Sequence, residues 1–293
     1  MTPPVSVSVV LPAYNEFSTI TSAVEDTLNR LKTFLPDGSY ELIIAEDGCT
    51  DSTPQIASDL ANKYDEVIHY HRPSRLGRGE ALNRAFKIAK GETLVYLDTD
   101  LATDNAHLEQ LINAVRSGSA DIATGSRWFP GTQTKRPFHR SILSKGFNTI
   151  VRLLLKSKLY DHQCGFKAFN KKIFFKLSPS LKDTHWFWDT EILVKAQKSN
   201  FNVFEFPVSW TAQKDTKVDI IRDVFAMAIN ILRLWLEFYI SPHITPAKSS
   251  IFGFSISLIA LLLMGHYLDL DLNFFYIFIS NPLYLFFSLF VYL

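Results

Sequence analysis

The sequence lacks several features that would assign it to common protein classes. It has only two cysteines, Cys49 and Cys164, which form no Cys-x-x-Cys pair, so neither a disulfide framework nor a cysteine-rich zinc site is indicated. Its 30 basic residues nearly balance its 29 acidic ones, and no basic stripe interleaved with aromatics occurs, so nucleic-acid binding has no support. The apolar run 5–11 lacks a preceding basic segment, and we expect no signal peptide there.

Basic residues are also absent from the C-terminal part, where no lysine or arginine follows Lys248. Two apolar stretches without lysine or arginine, 251–268 and 273–293, are each long enough to cross a bilayer core of roughly 30 Å. The loop between them carries no basic residue, whereas the body before them does, so the positive-inside rule places the body in the cytosol. We therefore predict a C-terminal transmembrane helical hairpin over 249–293. The protein would be an integral membrane protein, in the plasma membrane if the source is prokaryotic.

The segment before the hairpin, 216–248, is predicted to be an amphipathic helix at the membrane interface followed by a linker. Large apolar residues dominate it, and its polar residues recur at spacings of three, four and seven, which places them on one narrow stripe. The stripe consists of Asp219, Asp223, Asn230, Arg233 and Glu237. A helix buried in a protein core remains an alternative interpretation of the same pattern.

Residues 1–215 alternate between short β-branched apolar runs and helical patterns, which predicts an α/β domain with a mostly parallel sheet flanked by helices. Three polar clusters follow predicted strands, at 14–16, 46–48 and 98–100. Ligands of such sheets bind at the carboxyl ends of the strands, so we expect these clusters to form one site.

The cluster Asp98-Thr99-Asp100 follows a predicted strand over 93–97, in which residues 94–97 are apolar. Two carboxylates one residue apart at a strand end can hold a divalent metal beside a diphosphate, because Mg²⁺ binds through one or two carboxylates together with substrate phosphates. An isolated pair of this kind is more often a solvated turn. The surrounding motifs therefore decide its interpretation.

Those motifs occur in a fixed order along the chain. They are Val9–Glu16, Glu46–Ser52, Leu76–Asn83 and the Asp98–Asp100 pair. Together they resemble the inverting family 2 glycosyltransferases of GT-A fold, over roughly residues 5–215. The resemblance implies a nucleotide-sugar donor and a metal cofactor, Mg²⁺ or Mn²⁺, with Asp100 as the metal ligand.

The resemblance also implies roles for individual side chains in binding the nucleotide-sugar. Those implied to contact it are Pro12, Tyr14, Glu16, Asp47, Asp98, Thr99 and Lys217, with Asp47 on the base and Asp98 on the nucleoside. Lys214 or Lys217 could close over the diphosphate. Many relatives place glutamine two residues after the second aspartate, but this chain has Ala102 there, so the second metal ligand stays open.

The second half of the catalytic region resembles the polyprenyl-phosphate glycosyltransferases, and the run Gln163–Lys167 most resembles the dolichyl-phosphate glucosyltransferases. Arg127, Arg140 and Ser144 match positions implied to bind the acceptor phosphate, for which a planar guanidinium is well suited. Asp189 is implied to orient the sugar or the acceptor. The catalytic set implied overall comprises Asp98, Asp100, Arg127, Arg140 and Asp189.

We therefore expect inverting transfer of a hexose, glucose from UDP-glucose, to dolichyl or another polyprenyl phosphate, with possible self-association through the transmembrane helices. Mannose transfer from GDP-mannose is the first alternative, since these motifs do not distinguish uracil from guanine. A processive polysaccharide synthase is disfavoured because the Gln-x-x-Arg-Trp motif is absent. A non-catalytic membrane scaffold is the alternative from another class.

Overall fold

The computed structural model describes residues 3–135, 138–212 and 220–240. The chain divides into two compact units, Met1–Leu234 and Trp235–Leu293. The first unit contains the α/β fold described below. The described part of the second unit is the end of the last helix.

Strands and helices alternate through the first half of the chain, as the sequence predicts. The elements are β1 (Val7–Ala13), α1 (Ile20–Lys32), β2 (Tyr40–Asp47), α2 (Thr53–Lys63), β3 (Val67–Arg72), α3 (Arg78–Ile88), β4 (Thr93–Leu97), α4 (Leu108–Arg116) and β5 (Ile122–Ser126). The second half is more irregular. It contains β6 (Gln133–Lys135), α5 (Phe138–Leu155), β7 (Phe166–Asn170), α6 (Lys171–Leu177), α7 (Trp188–Lys198), β8 (Val203–Pro207), β9 (Ser209–Thr211) and α8 (Ile220–Tyr239).

Seven strands form one mixed sheet in the order β3-β2-β1-β4-β7-β5-β8. The pairs within β3-β2-β1-β4 are parallel, and so is the β5-β8 pair. Strand β7 runs antiparallel to both β4 and β5. The prediction of a mostly parallel sheet is confirmed, whereas the antiparallel insertion of β7 was not predicted.

The core lies on both faces of this sheet. Strands β1, β2, β4 and β5 consist almost wholly of buried residues, as expected for strands covered by helices on both sides. Helix α4 shows how the helices cover them, because its buried residues Leu108, Leu111, Ile112 and Val115 recur at helical spacing. This packing fixes the carboxyl ends of β1, β2 and β4, where the predicted polar clusters lie.

Helix α8 coincides with the predicted amphipathic helix, and the first unit shows which way part of its polar stripe faces. Asn230 donates to Asp183 at 3.0 Å, and Arg233 donates to Glu191 at 3.0 Å. These two polar residues therefore face the α/β domain, while Ile229 and Leu232 are each 46% exposed. The apolar Ile231 and Leu234 are also buried, so Ile229 and Leu232 are the apolar residues that this stretch of the helix turns towards solvent.

The two predicted membrane spans lie outside the described residues. Within 3–135, 138–212 and 220–240, no helix is long and apolar enough to cross a bilayer.

Candidate active site

The Asp98-Thr99-Asp100 segment turns sharply away from the end of β4. The backbone amide of Ala102 donates to Asp100 Oδ1 at 3.0 Å, and Leu101 has a φ of 50°. A leucine in the left-handed region carries conformational strain, which persists only where the surroundings enforce it. The turn thus holds the Asp100 carboxylate at the carboxyl end of the sheet.

The electrostatic surroundings of Asp100 fit a cation. Burial is the main cause that raises the pKa of Asp100 to about 6, and the nearby negative charges of Asp98 and Glu16 contribute to the same rise. A group of carboxylates that resist ionising together is stabilised by a divalent ion with oxygen ligands. The residues present therefore suit Mg²⁺ or Mn²⁺, with Asp100 and Asp98 as the groups that would hold it.

Asp98 is fixed from two sides. Arg78, at the start of α3, donates to Asp98 Oδ1 at 2.6 Å, and the Asp98 amide donates to the Gly165 carbonyl at 3.0 Å. A Cβ on Gly165 would lie 1.9 Å from Asp98 Oδ2, which is far inside van der Waals contact. The glycine of the Gln163–Lys167 motif therefore leaves the space that the Asp98 carboxylate occupies.

Asp189 lies in a buried network of charged groups at the start of α7. Arg78 donates to its Oδ2 at 2.6 Å, Lys167 Nζ lies 3.0 Å from its Oδ1, and the Tyr96 hydroxyl also donates to Oδ1. Burial opposes ionisation of Asp189, but the positive charges of Lys167 and Arg78 outweigh it and lower its pKa. Asp189 is therefore held as a carboxylate, and Arg78 connects it to Asp98.

The implied nucleotide-binding residues of the first half lie around the ends of β1 and β2. The Arg75 guanidinium lies 3.7 Å from the centre of the Tyr14 ring, and Thr19 donates to Glu16 Oε2 at 2.8 Å. Pro12 is half-buried near the end of β1. The structure thus gathers these residues at one edge of the sheet.

The Asp47 carboxylate is hydrogen-bonded to the protein backbone in this structure. Its Oδ2 accepts hydrogen bonds from the amides of Leu76 and Gly77, the latter at 3.1 Å. The carboxylate implied to bind the base therefore also anchors the segment that leads into α3 and Arg78.

The implied acceptor residues are only partly within the described structure. Arg127 Nε and Nη2 donate to the two oxygens of Asp161 at 2.6 and 2.8 Å, and both side chains are buried. Ser144 accepts from Trp128 Nε1 at 3.2 Å. The side chain of Arg140 and the whole of Lys217 lie outside the described residues. The Arg127 guanidinium, which was predicted to bind the acceptor phosphate, is thus paired with Asp161.

Two further predicted positions can be placed. Thr99 is buried between the two aspartates. Ala102 is buried as well, and its carbonyl accepts from the Thr211 amide at 2.8 Å, which ties the Asp98–Asp100 turn to β9. Ala102 offers no side-chain ligand, so Asp98 and Asp100 are the carboxylates that this turn provides.

Four residues of the site were not assigned roles from the sequence. They are Arg78, Asp161, Gly165 and Lys167. All four stand in or beside the quoted motifs, but their partners lie far away along the chain: Arg78 and Asp189, for example, are 111 positions apart. Such pairings have no local pattern, and an alignment showing joint variation would have been the signal.

We expect Arg127→Lys to lower the free energy of unfolding by about 2–4 kcal/mol, because lysine cannot pair bidentately and leaves the buried Asp161 poorly compensated. Thermal denaturation followed by circular dichroism would measure this. Arg116→Lys, at the exposed end of α4, is the matched control and should change stability by less than about 0.5 kcal/mol. Equal melting temperatures for both variants would contradict the assignment of a buried ion pair.

Comparisons with known proteins identify the fold and the family. A solved structure of glucosyl-3-phosphoglycerate synthase from Mycobacterium tuberculosis, in complex with Mn²⁺, UDP and phosphoglyceric acid, has a TM-score of 0.59 at 19% identity, covering 79% of this chain and 78% of that one. The shared fold is the GT-A type of nucleotide-sugar-dependent glycosyltransferases. The Glycosyl transferase family 2 profile matches residues 8–177. The chain belongs to glycosyltransferase family 2.

Two relatives show which members of this family the chain is similar to. Glycosyltransferase AglD of Haloferax volcanii is 52% identical over 265 residues, which make up 90% of this chain and 42% of that protein. This chain therefore spans less than half the length of AglD. The dolichyl-phosphate beta-glucosyltransferase of Dictyostelium discoideum is 31% identical, over 78% of this chain and 73% of that protein.

Proposed function

We propose that this chain is a metal-dependent, inverting hexosyltransferase that moves glucose from UDP-glucose to dolichyl or another polyprenyl phosphate. The observation that carries the proposal is the strained Asp98–Asp100 turn, where burial and neighbouring carboxylates raise the pKa of Asp100 to about 6. The dolichyl-phosphate beta-glucosyltransferases among the relatives support the donor and the acceptor. The fold neighbour solved with Mn²⁺ and UDP supports a divalent metal and a uridine nucleotide.

In the reaction, an oxygen of the acceptor phosphate forms a bond to the anomeric carbon. The bond from that carbon to the nucleoside diphosphate breaks, and the electron pair leaves with the diphosphate. A phosphate monoester has a second pKa near 6, so the nucleophile is already largely ionised at neutral pH. No general base is needed. This agrees with the buried and fully paired state of Asp189.

The chain's own residues would position the reactants. Asp98 and Asp100 would hold Mg²⁺ or Mn²⁺, which when bound neutralises charge on the departing diphosphate. Arg78 fixes the Asp98 carboxylate, and its positive charge would add to the electrostatic stabilisation of the diphosphate. Tyr14 offers a ring on which the base would stack, and the Arg75 guanidinium that lies over this ring would be displaced or would join the stack. Most of the rate enhancement would then come from positioning and electrostatics.

We also propose that the domain works at the cytosolic face of a membrane, which a polyprenyl acceptor requires. Support comes from the apolar side chains that the described helices leave exposed. On α5 these are Ile142, Leu143, Ile150, Leu153 and Leu154, and on α8 they are Ile229 and Leu232. Lys145 and Arg152 border the α5 set, as expected for a helix that meets anionic headgroups.

The test is a transfer assay with the full chain in detergent micelles containing lipid. UDP-glucose and GDP-mannose are offered as separate donors, and dolichyl phosphate, undecaprenyl phosphate and 3-phosphoglycerate as separate acceptors. We expect a lipid-linked β-glucoside that disappears with EDTA and returns with Mg²⁺ or Mn²⁺. Mannose transfer would overturn the donor, and transfer to 3-phosphoglycerate alone would overturn the lipid acceptor. No product with any pair would favour the scaffold alternative.

A further inference from the structure

A second group of potential metal ligands lies on the neighbouring edge of the sheet, apart from the Asp98–Asp100 turn. Glu46 is on β2, and His69 and His71 are on the edge strand β3. In the β2–β3 register Glu46 is opposite His71, and His69 is two residues back on the same face. One ligand atom from each of the three side chains lies within 4.8 Å of the other two.

The charge of Glu46 is poorly compensated by the described protein. The residue is 1% exposed, and its ion-pair partners within the described ranges are the two imidazoles, with His69 Nε2 at 3.0 Å and His71 Nδ1 also in contact. Both rings meet the same oxygen, Oε1. The other oxygen, Oε2, is buried without a hydrogen-bond partner among the described residues. A buried carboxylate in this state is stabilised by a cation.

We propose that Glu46, His69 and His71 form a binding site for a divalent transition-metal ion of the zinc type. Two imidazole nitrogens and a carboxylate oxygen are a ligand set that zinc prefers, whereas the all-oxygen Asp98–Asp100 turn suits Mg²⁺ or Mn²⁺. Ligand atoms about 2.0 Å from a tetrahedral ion lie roughly 3.3 Å from each other. The 3.0 Å separation of His69 Nε2 and Glu46 Oε1 is close to this, so small side-chain rotations suffice.

A metal ion at this site would stabilise the part of the fold beside the residues implied to bind the nucleotide. It would fasten the edge strand β3 to β2. Directly after β3, the chain runs through Arg75 to Leu76 and Gly77, whose amides bind Asp47, and then to Arg78. A metal ion at this edge would therefore hold in place the segment that positions Arg78 against Asp98. His71, half-exposed, leaves a path for the ion and for a water molecule as fourth ligand.

The test measures zinc binding by the full chain after metal has been removed with EDTA. Zn²⁺ is titrated in competition with a chromogenic chelator, and the bound metal is counted by mass spectrometry. We expect one tightly bound zinc per chain and at least about 100-fold weaker binding in His71→Ala, since even second-shell changes cost 10–100-fold. His71 is the most exposed of the three ligands, so this variant should fold, which its metal-free melting curve would verify.

Two controls separate this site from others. His185→Ala removes an exposed histidine, and Asp100→Ala removes the other carboxylate site; both should retain the tight zinc. Zinc should raise the melting temperature of the wild type and of both controls, but not of His71→Ala. The proposal is overturned if the wild type binds zinc no more tightly than His71→Ala does, or if Asp100→Ala is the variant that loses it.

Discussion

Replacing Asp100 by alanine is expected to reduce sugar transfer by at least about 1,000-fold. A bound metal contributes several kcal/mol of charge stabilisation in the transition state, and each 1.4 kcal/mol corresponds to a factor of ten in rate. Ala102 provides no side-chain ligand in the same turn, so Asp98, which is already paired with Arg78, would be the one carboxylate of the turn left to hold the ion. Initial rates at saturating UDP-glucose and Mn²⁺ would measure the loss. Activity within tenfold of the wild type would mean that the turn does not hold the catalytic metal.

The raised pKa of Asp100 gives this prediction a second readout. Its value of about 6 exceeds the ordinary 3.8 of an aspartate, so between about pH 4 and 6 the native state holds more protons than the unfolded state. The contribution of Asp100 to the free energy of unfolding of the metal-free protein therefore falls as the pH rises through that window. Asp100→Asn should accordingly raise the free energy of unfolding of the metal-free protein at pH 7.5, by about 1–2 kcal/mol after allowance for solvent screening.

This gain should shrink as the pH falls from about 6 towards 4, because the wild-type carboxyl is then protonated. Metal affinity should show the complementary trend, with weaker Mn²⁺ binding below about pH 6 and little change above pH 7. Denaturation with EDTA present and a Mn²⁺ titration by electron paramagnetic resonance measure the two effects. An Asp100→Asn variant that is less stable than the wild type at pH 7.5 would contradict the electrostatic description of the turn.

The second large effect is expected from Gly165→Ala, a single added methyl group. That Cβ would lie 1.9 Å from Asp98 Oδ2, so either the Asp98 carboxylate or the start of β7 must move by more than an ångström. Misplacement of a catalytic group by about 1 Å can cost on the order of 100-fold in rate. We therefore expect kcat/KM to fall at least about 100-fold, with a melting temperature only a few degrees lower.

Gly146→Ala is the matched control, because a Cβ at that exposed position on α5 meets no atom within 4 Å. It should keep its activity and gain slightly in stability, since alanine favours a helix over glycine by up to about 1 kcal/mol. Full activity in Gly165→Ala would show that the turn can shift without consequence.

Much of the fold followed from local patterns. The strand β4 was predicted with its observed bounds, Thr93–Leu97, because a run of apolar β-formers between a glycine and an aspartate has few other interpretations. For helix α2, the pair Thr53-Pro54 favours Thr53 as the N-cap followed by proline at the first helical position, but in the structure Ser52 is the cap and Thr53 is the first helical residue. The hydroxyl of Thr53 instead accepts from the Glu16 amide at 2.8 Å. This tertiary contact between two motifs could not be seen in either one alone.

The location of the site could be predicted from the sequence, but the contacts between its side chains could not. The aspartates at 98 and 100 follow a strand, which is visible in the sequence, whereas Arg78 between Asp98 and Asp189 depends on how α3 and α7 pack. The same limit applies to α8. Periodicity placed Asn230 and Arg233 on one stripe, but only their contacts with Asp183 and Glu191 show that these two residues face the α/β domain.

The direction of β7 has a consequence for exchanging parts between related enzymes. Because this strand runs opposite to β4, its first residues lie beside the aspartate turn. Gly165 and Lys167 therefore contact Asp98 and Asp189, respectively. Both belong to the acceptor half, the part of the catalytic region from Gly125 onwards, whereas the aspartate turn belongs to the donor half before it. The donor and acceptor halves thus contact each other through β7. A hybrid that combines the donor half of one relative with the acceptor half of another would have to carry β7 and its aspartate turn from the same parent.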